Sequence, residues 1–191
     1  MMRIITGKAR GVKLKTLEGD ATRPTSERSK EALFSMLQFD IEGREVLDLF
    51  AGSGQLGLEA LSRGAAAATF VDKSKQATKI IDENVIKTKL LDGARVICSD
   101  VTDFVRTVRG RNKYDIVFID PPYAQQIAVQ TAKSLYDARL LKPTSIVCCE
   151  SSEQDIFATC PDAAQIFAVI KQKKFGISYI TLLGLKGEDE Q

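Results

Sequence analysis

The stretch Gln165-Ile166-Phe167-Ala168-Val169-Ile170-Lys171-Gln172-Lys173-Lys174-Phe175-Gly176-Ile177-Ser178-Tyr179-Ile180-Thr181-Leu182-Leu183-Gly184-Leu185 reads as two apolar strands, Gln165 to Gln172 and Ile177 to Leu185. Only Lys173-Lys174-Phe175-Gly176 separates them. Parallel neighbours need a long crossover, so a link this short makes the pair an antiparallel hairpin. The chain ahead of it behaves differently. Strand-like runs at Glu45 to Phe50, Ala68 to Asp72, Arg95 to Cys98, Tyr114 to Ile119 and Ser145 to Glu150 alternate with helical patterns at 55–63, 74–91, 101–108, 125–139 and 153–160. Gly64 and Gly93 stop two of these helices. Runs that are apolar on both faces and separated by helices specify a parallel sheet covered on both sides. The expectation is an α/β fold with a seven-stranded, mostly parallel sheet, helices on both faces and a terminal antiparallel hairpin.

Upstream of the sheet, Arg3 to Thr6 and Gly11 to Leu17 read as two short strands joined through Gly7-Lys8-Ala9-Arg10. After Arg23-Pro24-Thr25, the segment Ser26 to Leu37 reads as a helix with an apolar face of Ala32, Leu33, Phe34 and Leu37. The charge is uneven. Residues 1–30 carry eight Lys or Arg against three acids, a net of +5, while residues 31–191 carry nineteen against twenty-two, a net of −3. Arg3, Lys8, Arg10, Lys13 and Lys15 lie within the first fifteen residues with no acid among them, which suits a polyanionic partner as well as it suits a solvated terminus. The later cluster Arg106, Arg109, Arg111 and Lys113 precedes the fourth strand and is expected at the sheet edge away from the chemistry, as a solvated face.

With 191 residues, 44% hydrophobic and 27% charged, the chain is sized for one globular domain with a proper core. Its longest apolar runs fall far short of the ~20 residues of a membrane helix, and the basic, quickly polar start does not resemble a signal peptide, so a cytoplasmic location is expected. There is no histidine, and the four cysteines, Cys98, Cys148, Cys149 and Cys160, show no Cys-x-x-Cys spacing. No metal site is expected, and an imidazole base is excluded. The chemistry falls to carboxylates, backbone groups or an organic cofactor.

The first candidate site is Val46-Leu47-Asp48-Leu49-Phe50-Ala51-Gly52-Ser53-Gly54, a strand entering a glycine-rich turn before a helix. Glycines let backbone approach a ligand closely and adopt dihedrals a Cβ forbids. Residues 52–57 spell Gly-x-Gly-x-x-Gly, a pattern that leaves nicotinamide dinucleotides and S-adenosylmethionine both open. Asp72 ends the second strand, 18 residues after Gly54, where an acid would hold ribose hydroxyls, and Asp100 ends the third strand in the same way. Asp100 also fits a helix N-cap.

The second site is Asp120-Pro121-Pro122-Tyr123, directly after the apolar run Tyr114 to Ile119. Two prolines remove two N–H donors and stiffen the turn, leaving an edge rich in acceptors. An exocyclic amino group is a poor nucleophile because its lone pair is delocalised into the ring. Accepting its N–H bonds at the Asp120 carboxylate and the Pro121 carbonyl would localise that pair toward an electrophile. Tyr123 offers a face for the base, with stacking worth roughly 1–3 kcal/mol.

These features together resemble the bacterial 16S rRNA guanine-N2 methyltransferase D family, with a Rossmann-like class I methyltransferase fold. The resemblance rests on Met2-Arg3-Ile4-Ile5-x-Gly7 with Arg10-Gly11, Arg23-Pro24-Thr25 leading to Glu31-Ala32-Leu33-Phe34, and Asp48 to Gly54. It continues through Gly57-Leu58-Glu59-Ala60-Leu61-Ser62-Arg63-Gly64-Ala65, Asp120-Pro121-Pro122-Tyr123 and Phe175-Gly176-x-Ser178. It implies S-adenosyl-L-methionine as cofactor, held by Asp48, Gly52, Ser53, Gly54, Asp72 and Asp100, with Arg23 and Thr25 closing over the pocket. It also implies catalysis at Asp120, Pro121, Pro122 and Tyr123 on guanine 966 of 16S rRNA, either as RNA or in the assembled small ribosomal subunit. Residues 1–20 become a basic β-hairpin extension that binds RNA through Arg3, Lys8, Arg10, Lys13 and Lys15. Residues 21–187 become the methyltransferase domain, and 188–191 a tail. Ser29-Lys30 stands where the family often has valine and arginine, and Phe175 where tyrosine is common. The competing readings are a DNA adenine or cytosine amino-methyltransferase, a nicotinamide oxidoreductase, which would leave Asp-Pro-Pro-Tyr without a purpose, and a non-catalytic RNA-binding module.

Overall fold

Strand β4, Tyr114–Ile119, is buried at all six positions. Successive strand residues point to opposite faces, so unbroken burial means that both faces of the sheet are covered here. The computed structural model describes residues 2–17, 27–121 and 127–187. Before β4 come α1 (Glu27–Met36), β1 (Glu45–Leu49), α2 (Gln55–Ser62), β2 (Ala67–Asp72), α3 (Lys75–Thr88), β3 (Ala94–Cys98) and α4 (Val101–Thr107). After it come α5 (Ile127–Asp137), β5 (Leu141–Ser151), α6 (Ala163–Ile166), β6 (Phe167–Phe175) and β7 (Ser178–Leu185). The seven strands have the order β3-β2-β1-β4-β5-β7-β6. This is the mostly parallel sheet with a terminal antiparallel hairpin expected of a class I methyltransferase.

The chain divides into two compact units, residues 1–101 and 102–191. In the first, β1 pairs parallel with β2 and β2 with β3. Helix α2 packs against β2 closely enough that a Cβ on Gly57 would lie 2.3 Å from the Phe70 ring. The third glycine of the 52–57 pattern therefore serves helix-to-strand packing. In the second unit β4 pairs parallel with β5, β5 antiparallel with β7, and β7 antiparallel with β6. Phe175 pairs with Ser178, so the hairpin turns on two residues, Gly176-Ile177, and not on four, because β6 continues through both lysines. Gly176, at φ 58, supplies the positive φ that such a tight turn requires.

One expected helix is absent. Residues 153–160 form bends and turns, and the only helical segment among the described residues between β5 and β6 is the short α6. The Asp155 carboxylate accepts the Phe157 N–H at 3.0 Å, while Ala158 N bonds Asp155 O and Cys160 N bonds Phe157 O. These local turns occupy the groups that a helix would need. No helix among the described residues is long and apolar enough to cross a membrane.

The basic N-terminal segment is fastened to the first unit along its length. Ile4 N bonds Val12 O, Gly11 N bonds Ile4 O and Leu14 N bonds Met2 O, with one antiparallel bridge, Arg3 to Lys13, where two short strands were expected. Ile4 and Leu14 are buried whereas Arg3 and Lys13 face out, so the ribbon is amphipathic. Its turn docks on the end of α2. Lys8 N donates to Ser62 O, Ala9 N donates to Ser62 Oγ, and Ser62 Oγ donates to the Thr6 carbonyl. A Cβ on Gly7, at φ +88, would lie 1.7 Å from Ser62 O, so only glycine fits.

Candidate functional site

The β1 end and the turn after it are built by their neighbours. Asp48 is 2% exposed and its Oδ2 accepts the Gly57 N–H at 2.9 Å, tying the strand to the first turn of α2. Phe50 has φ 59 although it carries a Cβ, a conformation costing of order 1–3 kcal/mol and typical of functional turns. Gly52 and Gly54 follow at φ 56 and 76. The space where a Cβ of Gly52 would project is open, with nothing nearer than Phe50 O at 4.0 Å.

Asp72, at the end of β2, closes this turn. Its Oδ2 accepts the Gly52 N–H at 2.9 Å and its Oδ1 accepts the Ser74 N–H at 2.8 Å. Each carboxylate oxygen has two lone-pair directions, so capacity for a ligand hydroxyl remains on both. Ser99 N donates to Asp72 O at 3.0 Å, which joins the ends of β2 and β3 and sets exposed Asp100 just before α4. Asp72 and Asp100 thus stand at the carboxyl edge of adjacent parallel strands beside the glycine turn, the crevice where open α/β sheets bind ligands.

Two supporting residues were missed in the sequence. Asn84 is fully buried on α3. Its Oδ1 accepts Lys15 N at 2.8 Å, and its Nδ2 donates to Lys15 O at 3.0 Å and Ser53 O at 2.9 Å. It therefore clamps the N-terminal ribbon to the glycine turn. Ser53 is 6% exposed and its Oγ donates to the Met2 sulfur, so its side chain serves the same junction. The signal for Asn84 was a polar residue at a core position of an amphipathic helix, between Ile81 and Val85.

Glu59 is the second. At 0% exposure it accepts Ile5 N at 2.7 Å, Thr6 N at 3.0 Å and Arg63 Nε at 2.8 Å, and it lies 3.7 Å from the Lys30 ammonium, itself 1% exposed. Lys30 Nζ also donates to Arg3 O at 2.6 Å. A buried charge pair of this kind persists because backbone donors satisfy the carboxylate.

The five basic residues of the ribbon, Arg3, Lys8, Arg10, Lys13 and Lys15, are all exposed. Lys15 is engaged with Glu83 at 2.6 Å, and the Lys15 hydrogen bond and charge lower the Glu83 carboxyl below its ordinary value. In the second unit β4 delivers half-buried Asp120 and buried Pro121 at its carboxyl end. Pro122, Tyr123, Arg23 and Thr25 lie outside the described residues. Arg106 pairs with Asp103, and Arg109 donates to the Asp137 carbonyl at 3.4 Å.

Residues 2–184 match the family model described as conserved hypothetical protein 95. The Haemophilus influenzae protein named ribosomal RNA small subunit methyltransferase D is 36% identical over 177 residues, covering 92% of this chain and 90% of that protein. The solved structure of Escherichia coli yhhF is 34% identical with TM-score 0.84, covering 97% of this chain and 98% of that one. SMU.776, crystallised with SAH, shares the fold at TM-score 0.69 and 14% identity, covering 85% of this chain and 50% of its own. With the family model spanning nearly the whole chain and a relative this similar along almost all of its length, the chain belongs to the ribosomal RNA small subunit methyltransferase D family.

Proposed function

We propose that this protein transfers the methyl group of S-adenosylmethionine to the exocyclic N2 of a guanine in 16S rRNA, guanine 966 by the family resemblance. The reading includes the assembled small subunit as a substrate and a cytoplasmic site of action. The observation that carries it is the turn after β1, where Gly52 leaves open space at positive φ and Asp72 holds the same backbone from the end of β2. A side-chain-free approach beside a carboxylate fits an adenosine-bearing cofactor with a ribose diol.

When bound, S-adenosylmethionine supplies an electrophilic methyl on a sulfonium. Asp72 and Asp100 accept hydrogen bonds from ribose hydroxyls, Gly52 and Gly54 admit the ligand to the backbone, and Asp48 and Ser53 keep that turn in shape. Arg23 and Thr25 close over the pocket. Asp120 accepts one N–H of the target amino group and the Pro121 carbonyl the other, which localises the nitrogen lone pair. Pro122 stiffens the turn and Tyr123 stacks on the base. As the new N–C bond forms, the sulfur–methyl bond would break with its electron pair kept by sulfur, leaving S-adenosylhomocysteine; the nitrogen becomes positive, the Asp120 carboxylate stabilises that charge, and one amino proton passes to solvent water. Arg3, Lys8, Arg10, Lys13 and Lys15 contact phosphate, Lys15 least because Glu83 already engages it.

Calorimetry and single-turnover kinetics test this reading. S-adenosylhomocysteine should bind the isolated protein and NADH should not; the reverse would refute the cofactor. Asp120→Ala should bind cofactor normally and lose roughly 10²–10³ in methyl-transfer rate, as for removal of one electrostatic transition-state contact. A near wild-type rate in the folded variant would remove Asp120 from the mechanism.

A further inference from the structure

The β6–β7 hairpin carries charge that the proposed chemistry does not use. Residues 163–187 contain Lys171, Lys173, Lys174 and Lys186 and no acid. Lys171, Lys173 and Lys174 are exposed, and Ile177 at the tip is 80% exposed. The tip ammonium groups are held in place. Lys173 Nζ lies 5.4 Å from the centre of the Phe175 ring, its neighbour two residues on and so on the same face of the ribbon. Lys174 Nζ lies 5.4 Å from the centre of the ring of Tyr179, its cross-strand partner, and points to the other face. Gln172 Nε2 donates to Gln154 O and to Thr181 Oγ1, which steadies the ribbon at its base.

Strand direction places this tip. β5 runs parallel to β4, β7 antiparallel to β5, and β6 antiparallel to β7. β6 therefore runs parallel to β4, and its end at Phe175 leaves the sheet on the edge where β4 ends at Asp120-Pro121. With the order β4-β5-β7-β6, three strand spacings separate them, roughly 14 Å.

We infer that the tip of the β6–β7 hairpin, through Lys173 and Lys174 held over Phe175 and Tyr179, grips the phosphates of RNA nucleotides flanking the target base. A cation already held against an aromatic ring loses less freedom on meeting a phosphate than a free lysine, and charge on both faces lets a bent RNA strand pass over the ribbon. The inference rests on the rRNA substrate proposed above.

The test uses the full chain, a fluorescent 16S rRNA fragment containing the target, and the variant K173A/K174A. Losing two phosphate contacts on a single strand should lower the slope of log K against log salt by about 1.4 and weaken binding severalfold at physiological salt. K173R/K174R should restore both, and S-adenosylhomocysteine affinity should stay unchanged in each variant. An unchanged salt slope and RNA affinity in K173A/K174A, while the wild-type protein still methylates rRNA, would overturn the inference alone. A wild-type protein that transfers no methyl to rRNA would overturn the substrate reading and this inference with it.

Discussion

Replacing Glu59 by glutamine isolates the buried junction between the N-terminal ribbon and helix α2. The substitution keeps the shape, removes the anion 3.7 Å from a Lys30 that is 1% exposed, and turns an amide NH2 toward donors that now converge on two oxygens. Breaking a buried pair from one side costs about 3–5 kcal/mol, against a total stability of about 5–15 kcal/mol for a typical domain. With a urea m-value near 2 kcal/mol/M, the midpoint should fall by about 2 M. Lys30→Met should be destabilising too. The double variant should be more stable than the sum of the single losses predicts, with a coupling of about 1–3 kcal/mol, because the introduced amide then no longer faces a buried ammonium. Urea unfolding followed by circular dichroism measures all three. A midpoint shift under about 0.5 M for Glu59→Gln, or simple additivity, would refute the assignment of Glu59 and Lys30 as an interdependent buried pair.

Asn84→Ala should strand Lys15 N, Lys15 O and Ser53 O, lowering stability by about 2–3 kcal/mol and weakening S-adenosylhomocysteine binding severalfold by calorimetry; unchanged affinity would mean that the clamp does not shape the glycine turn for the proposed cofactor. Burial pushes the Cys149 thiol up to about 12, so it stays protonated and unreactive at pH 8, whereas Cys98 is exposed. Peptide mass spectrometry after brief iodoacetamide treatment should find Cys98 alkylated and Cys149 modified only after unfolding; early labelling of Cys149 would contradict its burial. Deleting residues 1–17 should unfold or strongly destabilise the first unit, because Glu59, Ser62 and Asn84 would all lose partners. Charge-neutral substitution of Lys8, Arg10 and Lys13 is thus the cleaner probe of RNA contact, and it should flatten the salt dependence of binding.

The sheet was legible because its central strands are apolar on both faces and its last connection is too short for a helix. The place of Asp72 at the end of β2 was legible from its spacing to Gly54, and its bonds to Gly52 and Ser74 show that it builds the turn. The helix expected at 153–160 failed because Asp155 offers its own side chain to the backbone, a local competition that apolar periodicity does not register. Glu59 and Asn84 were missed for the opposite reason. Their backbone partners lie 53–54 and 31–69 residues away, and nothing in a helix's own pattern announces that a distant backbone will need its carboxylate or amide. The basic ribbon read as a charge cluster, yet its placement depends on Ile4, Leu14 and Gly7, which fasten it to the fold while its cations face out.

The most direct test of the central claim is mass spectrometry of nucleosides from 16S rRNA or small subunits lacking the modification, after incubation with the purified protein and S-adenosylmethionine labelled in its methyl group. The account predicts labelled N2-methylguanosine, formed by the wild-type protein and nearly abolished by Asp120→Ala. Label in N6-methyladenosine, or an RNA substrate left without label, would contradict it.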